Sequence, residues 1–380
     1  MAFEITSKDA GSRARTGILR TAHGEVETPV FMPVATQGSV KALSSEDLAA
    51  LGVQAILSNS YHLYLRPGAE LVAQAGGLHR FMGFPGSILT DSGGFQVLSL
   101  ADLRSITDES VTFKSHLDGS MHTLTPESVI RLQARLGSDI WTTLDECPPF
   151  PCTEAEAERA LGRTMRWMEA SAPVFKEESA KREAPALFFP VVQGSLYPVL
   201  RARAAEHAAG LGVDGFSLGG YCVGEEKERT WSVLEGMVEH LPGPKPRYLM
   251  GMGTPVDLWE AVRLGVDMLD CVWPTRVARN GHAITADGGI NIQNRAFQND
   301  FSPLDTDCGC MACRRHTRAY ISHLHRAKEL SAYRLLTLHN VHYSLQIMRR
   351  IRAAIRAGTF MEERRRFLEA FASKSAIISA

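Results

Sequence analysis

The chain has 380 residues, a formal charge of −1 and an apolar fraction of 44 %, enough to bury a sizeable core and ordinary for a soluble globular protein. No apolar run approaches the ~18 residues of a membrane-spanning helix, and MAFEITSKDAG lacks the basic start and apolar stretch of a secretory signal. Seven cysteines, three of them crowded between Cys308 and Cys313, speak against a disulfide framework and for a reducing cytoplasm with a metal site.

From the N-terminus, short apolar runs alternate with helical stretches. PVFMPV, starting at Pro29, is the first buried-strand candidate. A helix ending at Leu51-Gly52 leads into AILSN, and SILT follows from Ser87. A helix opening at Thr125-Pro126 ends at Leu136-Gly137 and leads into DIWTTLD. TEAEAERALGRTMRWMEAS precedes LFFPVV. YPVLRARAAEHAAGLG ends before GFSLGG, RYLMG comes next, and a helix from Thr254-Pro255 ends at Leu264-Gly265 before DMLDCV. Threonine before proline is a helix start, glycine after the last turn takes the left-handed conformation cheaply, and the apolar run that follows reads as a buried parallel strand. Eight such runs before Asp300 predict one (β/α)8 barrel over residues 1–300, with 301–380 appended. The alternative, a doubly wound open sheet, lacks a Gly-x-Gly-x-x-Gly turn opening a helix.

The residues that end these strands are informative. Asn59, Asp91, Asp145, Gln193, Gly219-Gly220, Gly251 and Asp270 each follow an apolar run, and a barrel gathers the C-terminal ends of its strands around one mouth. Any one of these residues alone reads as a cap or turn; as a series they predict a pocket of carboxylates, carboxamides and bare backbone. After Asp91, Ser92-Gly93-Gly94-Phe95 adds small residues and a ring that can stack on a planar ligand.

Cys308, Cys310 and Cys313 offer three thiolates, and with one imidazole they would close a tetrahedral Cys3His shell of the structural zinc type. His339 is a candidate fourth ligand; His316, His323, His325 and His342 are rivals, and spacing does not choose between His339 and His342, one turn apart. From Arg314 to Arg366 the chain carries 13 Lys or Arg against 3 acids, which predicts either a solvated helix face or a surface for a phosphate-rich partner.

The segments SNSYHLYLRPG, LTDSGGFQVLSL, LDECPP, PVVQGS, LGGYCVGE, YLMGMGTP, DMLDCVWPTRVARNGH and CGCMAC, in this order from about Pro29 to His339, resemble the motif series of the bacterial-type tRNA-guanine transglycosylases. The resemblance implies an irregular (β/α)8 barrel with a C-terminal zinc subdomain and basic helices in 301–380. It implies exchange of guanine at the wobble position, 34, of tRNAs with GU(N) anticodons (those for Asp, Asn, His and Tyr) for the 7-deazaguanine preQ1, in queuosine biosynthesis. By similarity Asp270 is the nucleophile that forms a covalent ribosyl ester and Asp91 the general acid/base, a double displacement on a base first taken out of the stack. Ser92, Gly93, Gly94, Phe95, Asp145, Cys147, Gln193, Gly219, Gly220, Tyr221 and Met250 would bind the base, with Phe95 and Met250 on its two faces. Gly251, Met252, Gly253, Thr254, Pro255, Val256 and Asp257, with Thr275, Arg276, Val277, Ala278 and Arg279, would contact the anticodon loop. One structural zinc per chain on Cys308, Cys310, Cys313 and His339, a homodimer and a cytoplasmic location complete the expectation.

Some positions depart from the family pattern. Tyr221 and Cys222 replace small or aliphatic residues, Trp273 stands where Met is commoner, and Val277 where Asn is typical. Cys147 and Val223 follow the bacterial pattern, which points to preQ1 as the incoming base in place of the bulkier queuine. Two other classes are set against this reading: a non-catalytic RNA-binding subunit, which would have no need of both Asp91 and Asp270, and a barrel enzyme acting on a free nucleoside, which RNA binding would distinguish.

Overall fold

The computed structural model describes residues 2–100, 104–286 and 288–372; the end of the expected C-terminal unit, 373–380, lies outside them. The eight runs are strands: Val30–Ala35, Ala55–Asn59, Ser87–Asp91, Ile140–Thr142, Leu187–Phe189 continuing as Val191–Val192, Phe216–Leu218, Arg247–Leu249 and Met268–Cys271. Neighbours are parallel and follow chain order, and the eighth strand pairs with the first, from Met268 opposite Val30 to Cys271 opposite Pro33. Pro190 breaks the fifth strand because it has no N–H to give the ladder. The half before it pairs with the fourth strand and the half after it with the sixth. Nine segments therefore make eight strands, and the sheet closes as the predicted barrel.

The local signals act as read. Thr125 and Thr254 cap their helices with capping boxes completed by Ser128 and Asp257, and Gly137 ends its helix at φ 72°. Alternation along the strands divides the core. Val30, Met32, Leu57, Leu89, Phe189, Tyr248 and Met268 form one cluster, the barrel interior, while Trp141, Phe188, Phe216, Leu249 and Leu269 pack with residues of the surrounding helices.

Two three-stranded antiparallel sheets stand outside the expected barrel. Phe3–Lys8, Arg15–Thr21 and Gly24–Thr28 form a meander whose Phe3, Leu19 and Val26 join the interior cluster, so it plugs the N-terminal mouth. On that side Asp139, just before the fourth strand, accepts from His23 (2.7 Å) and His79 (3.1 Å), whose rings stack at 3.4 Å. The second sheet, Arg104–Ile106, Val111–Lys114 and Met121–Leu124, is inserted after the third strand, with Val111 and Phe113 packed on Tyr61 and Leu144.

Beyond residue 300 the chain is helical: Met311–Arg315, Arg318–Arg326, Leu330–Ala357 and Phe360–Ala372. The 28-residue helix Leu330–Ala357 lies along the barrel, where Arg352 donates to Pro29 O (2.8 Å) and Arg349 to Leu51 O (3.0 Å). No helix among the described residues is long and apolar enough to cross a membrane.

The positive charge of this region is mostly taken up internally. Arg318 pairs with Asp300, Arg334 with Asp47, Arg350 with Glu363, Arg352 and Arg356 with Glu27, Arg364 with Glu260, Arg365 with Glu369, and Arg366 with Glu362 and Glu363. Among the described residues Arg314, Arg315, Arg326, Lys328 and Arg349 have no carboxylate partner, and all five are exposed. Arg314 and Arg315 close the short helix that carries Cys313 and so stand beside the cysteine cluster.

Candidate active site and metal centre

The C-terminal strand ends bring Asp91, Asp145, Gln193, Gly219-Gly220 and Asp270 to one mouth, and each of the three carboxylates is at least nine-tenths buried. Asp91 accepts from Asn59 Nδ2 at 2.5 Å and from the Ser60 N–H at 3.0 Å. Burial pushes its pKa up to about 7; the Ser60 bond opposes this, and the charges of Asp270 and Asp145 add to it. Asp270 differs. Its Oδ1 accepts from Tyr248 Oη (2.6 Å) and from the Gly251 N–H (2.8 Å), and these donors oppose the upward push of burial. Two carboxyl groups in one pocket with unlike partners suit a division between proton transfer and charge or nucleophile work.

Asp145 is the third carboxylate. Ser92 Oγ donates to its Oδ1 (3.1 Å) and Gln193 Nε2 to its Oδ2 (2.7 Å), while burial raises its pKa to about 6. Each oxygen keeps a lone pair for a ligand, and the buried Gln193 Oε1 has no hydrogen-bond partner. Gly94 and Gly220 leave room that a side chain would fill: a Cβ at Gly94 would lie 2.9 Å from Asp145 Oδ1, and one at Gly220 2.2 Å from Gln193 Oε1. Gly93, at φ +80°, passes Tyr61 so closely that a Cβ would meet its Cβ at 2.7 Å. Phe95 is 51 % exposed and Met250 is half-buried, so both have apolar surface to offer. Desolvation pushes the pKa of the half-buried Cys147 thiol up to about 12, so it stays protonated; Tyr221 is buried.

In the two segments expected to meet RNA, Gly251, Arg276 and Arg279 are exposed, Thr254, Val256 and Val277 are half-buried, and Met252, Gly253, Pro255, Asp257, Thr275 and Ala278 are buried. Asp257 caps its own helix and accepts from Lys227 at 2.6 Å, so its side chain is already engaged.

His339 and not His342 completes the cysteine cluster. His339 Nδ1 lies 3.5, 3.6 and 3.3 Å from the Sγ atoms of Cys308, Cys310 and Cys313, whereas His342 faces Cys308 alone at 3.3 Å. A tetrahedral ion with metal–sulfur bonds of about 2.3 Å and a metal–nitrogen bond of about 2.0 Å has S···N edges of about 3.5 Å. The four atoms therefore fit one ion with no open position. His339 Nε2 is 2.7 Å from Ile284 O; donating there leaves Nδ1 free to ligate.

Compared with known proteins, residues 9–373 match the family described as queuine tRNA-ribosyltransferase. The chain belongs to that family. It is an enzyme of the pentosyltransferase class. Among its relatives, the queuine tRNA-ribosyltransferase of Moorella thermoacetica is 49 % identical over 371 residues, 98 % of each chain. That of Halothermothrix orenii is 46 % identical over 377 residues, 99 % of this chain and 100 % of its own. That of Syntrophobacter fumaroxidans is 51 % identical over 367 residues, 97 % of each.

Reading from sequence missed Tyr248, the hydroxyl donor to Asp270, and Arg201, a wholly buried cation beneath the pocket. Tyr248 stands two residues before the strand-end Met250, so period-two alternation could have flagged it. Arg201 sits in a helix and carried no such signal.

Proposed function

We propose that the enzyme is a tRNA-guanine transglycosylase of queuosine biosynthesis that replaces guanine 34 of tRNAs with GU(N) anticodons by preQ1. The observation that carries this is the pair Asp91 and Asp270, buried in one mouth with unlike hydrogen-bond partners. In this reading Asp270 attacks C1′ of the ribose as the bond to guanine N9 breaks, and Asp91 delivers a proton to the departing base. Asp91, now ionised, takes a proton from the incoming base, whose nitrogen displaces Asp270 from C1′ and restores the β configuration. The free lone pairs of Asp145 accept from the N1–H and amino group of the purine, Gln193 and the Gly220 N–H donate to its carbonyl, and Phe95 and Met250 cover its faces. The segments 251–257 and 275–279 would take the anticodon loop of the tRNAs for Asp, Asn, His and Tyr, with Arg276 and Arg279 on phosphates. We assign residues 1–300 to the catalytic barrel and 301–380 to a zinc subdomain, and expect a cytoplasmic homodimer. Zinc on Cys308, Cys310, Cys313 and His339 supplies cross-linking of that subdomain and no chemistry, since its four protein donors leave no place for water.

The test of the overall reaction is release of labelled guanine from tRNA on addition of preQ1; no release from tRNA carrying G34 would overturn it. Proton transfer by Asp91 has a pH signature. With its pKa raised from 3.8 to about 7, the folded enzyme holds a proton here that the unfolded chain has lost, so folding stability is present in acid and falls as pH rises through 7. Asp91→Asn is expected to lose exchange and, on the order of 2–4 kcal/mol, to be more stable than the native enzyme at pH 8, with the advantage gone at pH 4. An equal stability difference at both pH values in thermal unfolding would refute a proton held by Asp91.

Selectivity for the incoming base follows from the half-buried Val223 and Cys147. They leave space for an aminomethyl group, and the carbonyl of Tyr221 can accept from its ammonium, a charge-assisted bond worth about 1.5–3 kcal/mol. In competition on one tRNA, preQ1 is expected to outrun queuine by about tenfold or more, and Val223→Gly to narrow the ratio; equal incorporation by the native enzyme would contradict this pocket assignment.

A further inference from the structure

The backbone from Gly219 to Val223 leaves the sixth strand and crosses the pocket, and its polar groups can be accounted for singly. The Gly219 N–H donates to Val192 O at 3.1 Å. The carbonyls of Gly219 and Gly220 accept from Arg201 Nη1 and Nη2 at 2.7 and 3.1 Å. The N–H groups of Cys222 and Val223 donate to the two oxygens of Glu225 at 2.6 and 2.8 Å. What has no partner among the described residues is the Gly220 N–H, the Tyr221 N–H and, beyond them, the carbonyls of Tyr221, Cys222 and Val223. In a trans peptide the N–H points opposite to the carbonyl before it. Two carbonyls drawn to one guanidinium therefore turn the next two N–H groups, those of Gly220 and Tyr221, away from it.

Arg201 is built for this. It has no exposed surface, and among the described residues no carboxylate lies within ion-pair distance of it. Its remaining donors go to Ser195 O (2.7 Å) and Val192 O (3.0 Å), and the Tyr221 ring lies 3.9 Å from its Cζ. A buried cation held only by carbonyls and a ring is costly unless every donor is used. Here four of the five N–H groups, on Nε, Nη1 and Nη2, bond to backbone and the ring of Tyr221 covers the face. The planar fork spans carbonyls of the fifth and sixth strand ends at once, which a single ammonium does not reproduce. We propose that Arg201 is a positioning residue: by fixing the Gly219–Gly220 and Gly220–Tyr221 peptide planes it presets a pair of N–H donors for the carbonyl oxygen of the purine, with Tyr221 clamping the guanidinium from the other side. This rests on the base-exchange reading above and adds to it a residue that touches neither base nor ribose.

The test uses the full-length protein and guanine alone. Arg201→Lys is expected to weaken guanine binding, read by calorimetry, by about tenfold or more, the effect of losing one well-placed hydrogen bond. Its retention of tRNA in a gel shift is expected to stay within about twofold of native, so the base KM should rise far more than the tRNA KM. A merely structural arginine would lower thermal stability and leave guanine affinity of the folded fraction unchanged; that result overturns the proposal. Should the variant not fold, the native protein still decides. Saturation with guanine is expected to move the ¹⁵N–¹H signals of Gly220 and Tyr221 downfield, and unmoved signals overturn the donor pair. Native protein that shows these shifts yet exchanges nothing into tRNA would leave Arg201 in its role and overturn the reaction proposed above.

Discussion

Asp270→Ala is expected to lower guanine exchange by at least about 10⁴-fold, the scale on which removal of a catalytic nucleophile acts, and to form none of the protein–RNA adduct that the native enzyme is expected to retain through denaturation. Tyr248 and Gly251 both bond to Oδ1 of Asp270, and among the described residues no other residue donates to Oδ2. One oxygen is thus anchored and the other presented, the arrangement an attacking carboxylate needs. Asp270→Asn separates chemistry from packing, because an amide oxygen can keep both Oδ1 bonds and yet attacks poorly. Exchange is measured with labelled guanine on unmodified tRNA and the adduct by denaturing gel. An adduct formed by either variant, or exchange at the native rate, would remove Asp270 from this role.

The second large effect is on stability. His339→Ala is expected to lose the bound ion and unfold the region from residue 301 before the barrel, whereas His342→Ala should keep about one zinc per chain. Apparent binding free energies of about 10–16 kcal/mol for such sites in small zinc domains show how much folding can depend on the ion. His339 closes the shell with all three thiols within 3.6 Å, and His342 reaches one. Elemental analysis beside chelator-induced unfolding reads both variants. Loss of zinc from His342→Ala with retention in His339→Ala would reverse the ligand set.

How much of this could be read from sequence depended on how local the cause was. Helix caps at Thr125 and Thr254 and the glycine ends at Gly52 and Gly137 are local conformational preferences, so the eight β/α units were legible in order. The strand-end carboxylates were legible because the barrel turns a repeated sequence position into one place in space. The N-terminal meander was not: its strands are half-exposed, and their function as a plug depends on Phe3 and Val26 finding a barrel interior made by residues far along the chain. The ion-pair partners of the arginine run after Arg314 were hidden for the same reason. Its acids, Glu27, Asp47 and Glu260, come from sequence-distant elements, and composition of a segment cannot register a partner outside it. His339 against His342 was undecidable by spacing and became a matter of which ring nitrogen faces the sulfurs.

The helix Leu330–Ala357 carries a consequence for the order in which the protein forms. His339 near its start belongs to the metal cluster, and Arg352 near its end holds Pro29 O, at the foot of the first strand. That strand finds its in-sheet neighbour on one side only at Met268–Cys271. During synthesis, then, the first strand leaves the ribosome with one edge unpaired and keeps it so for more than two hundred residues, and the arginine that fastens its foot arrives eighty residues later still. Non-local closure of this kind is slow and leaves an open strand edge for other chains to pair with. Closure of the ring that holds Asp270 is therefore a late event, and completion of the cysteine–histidine cluster and fastening of the first strand's foot come later still. A nascent chain stalled before Met268 is an open sheet that still lacks its closing strand.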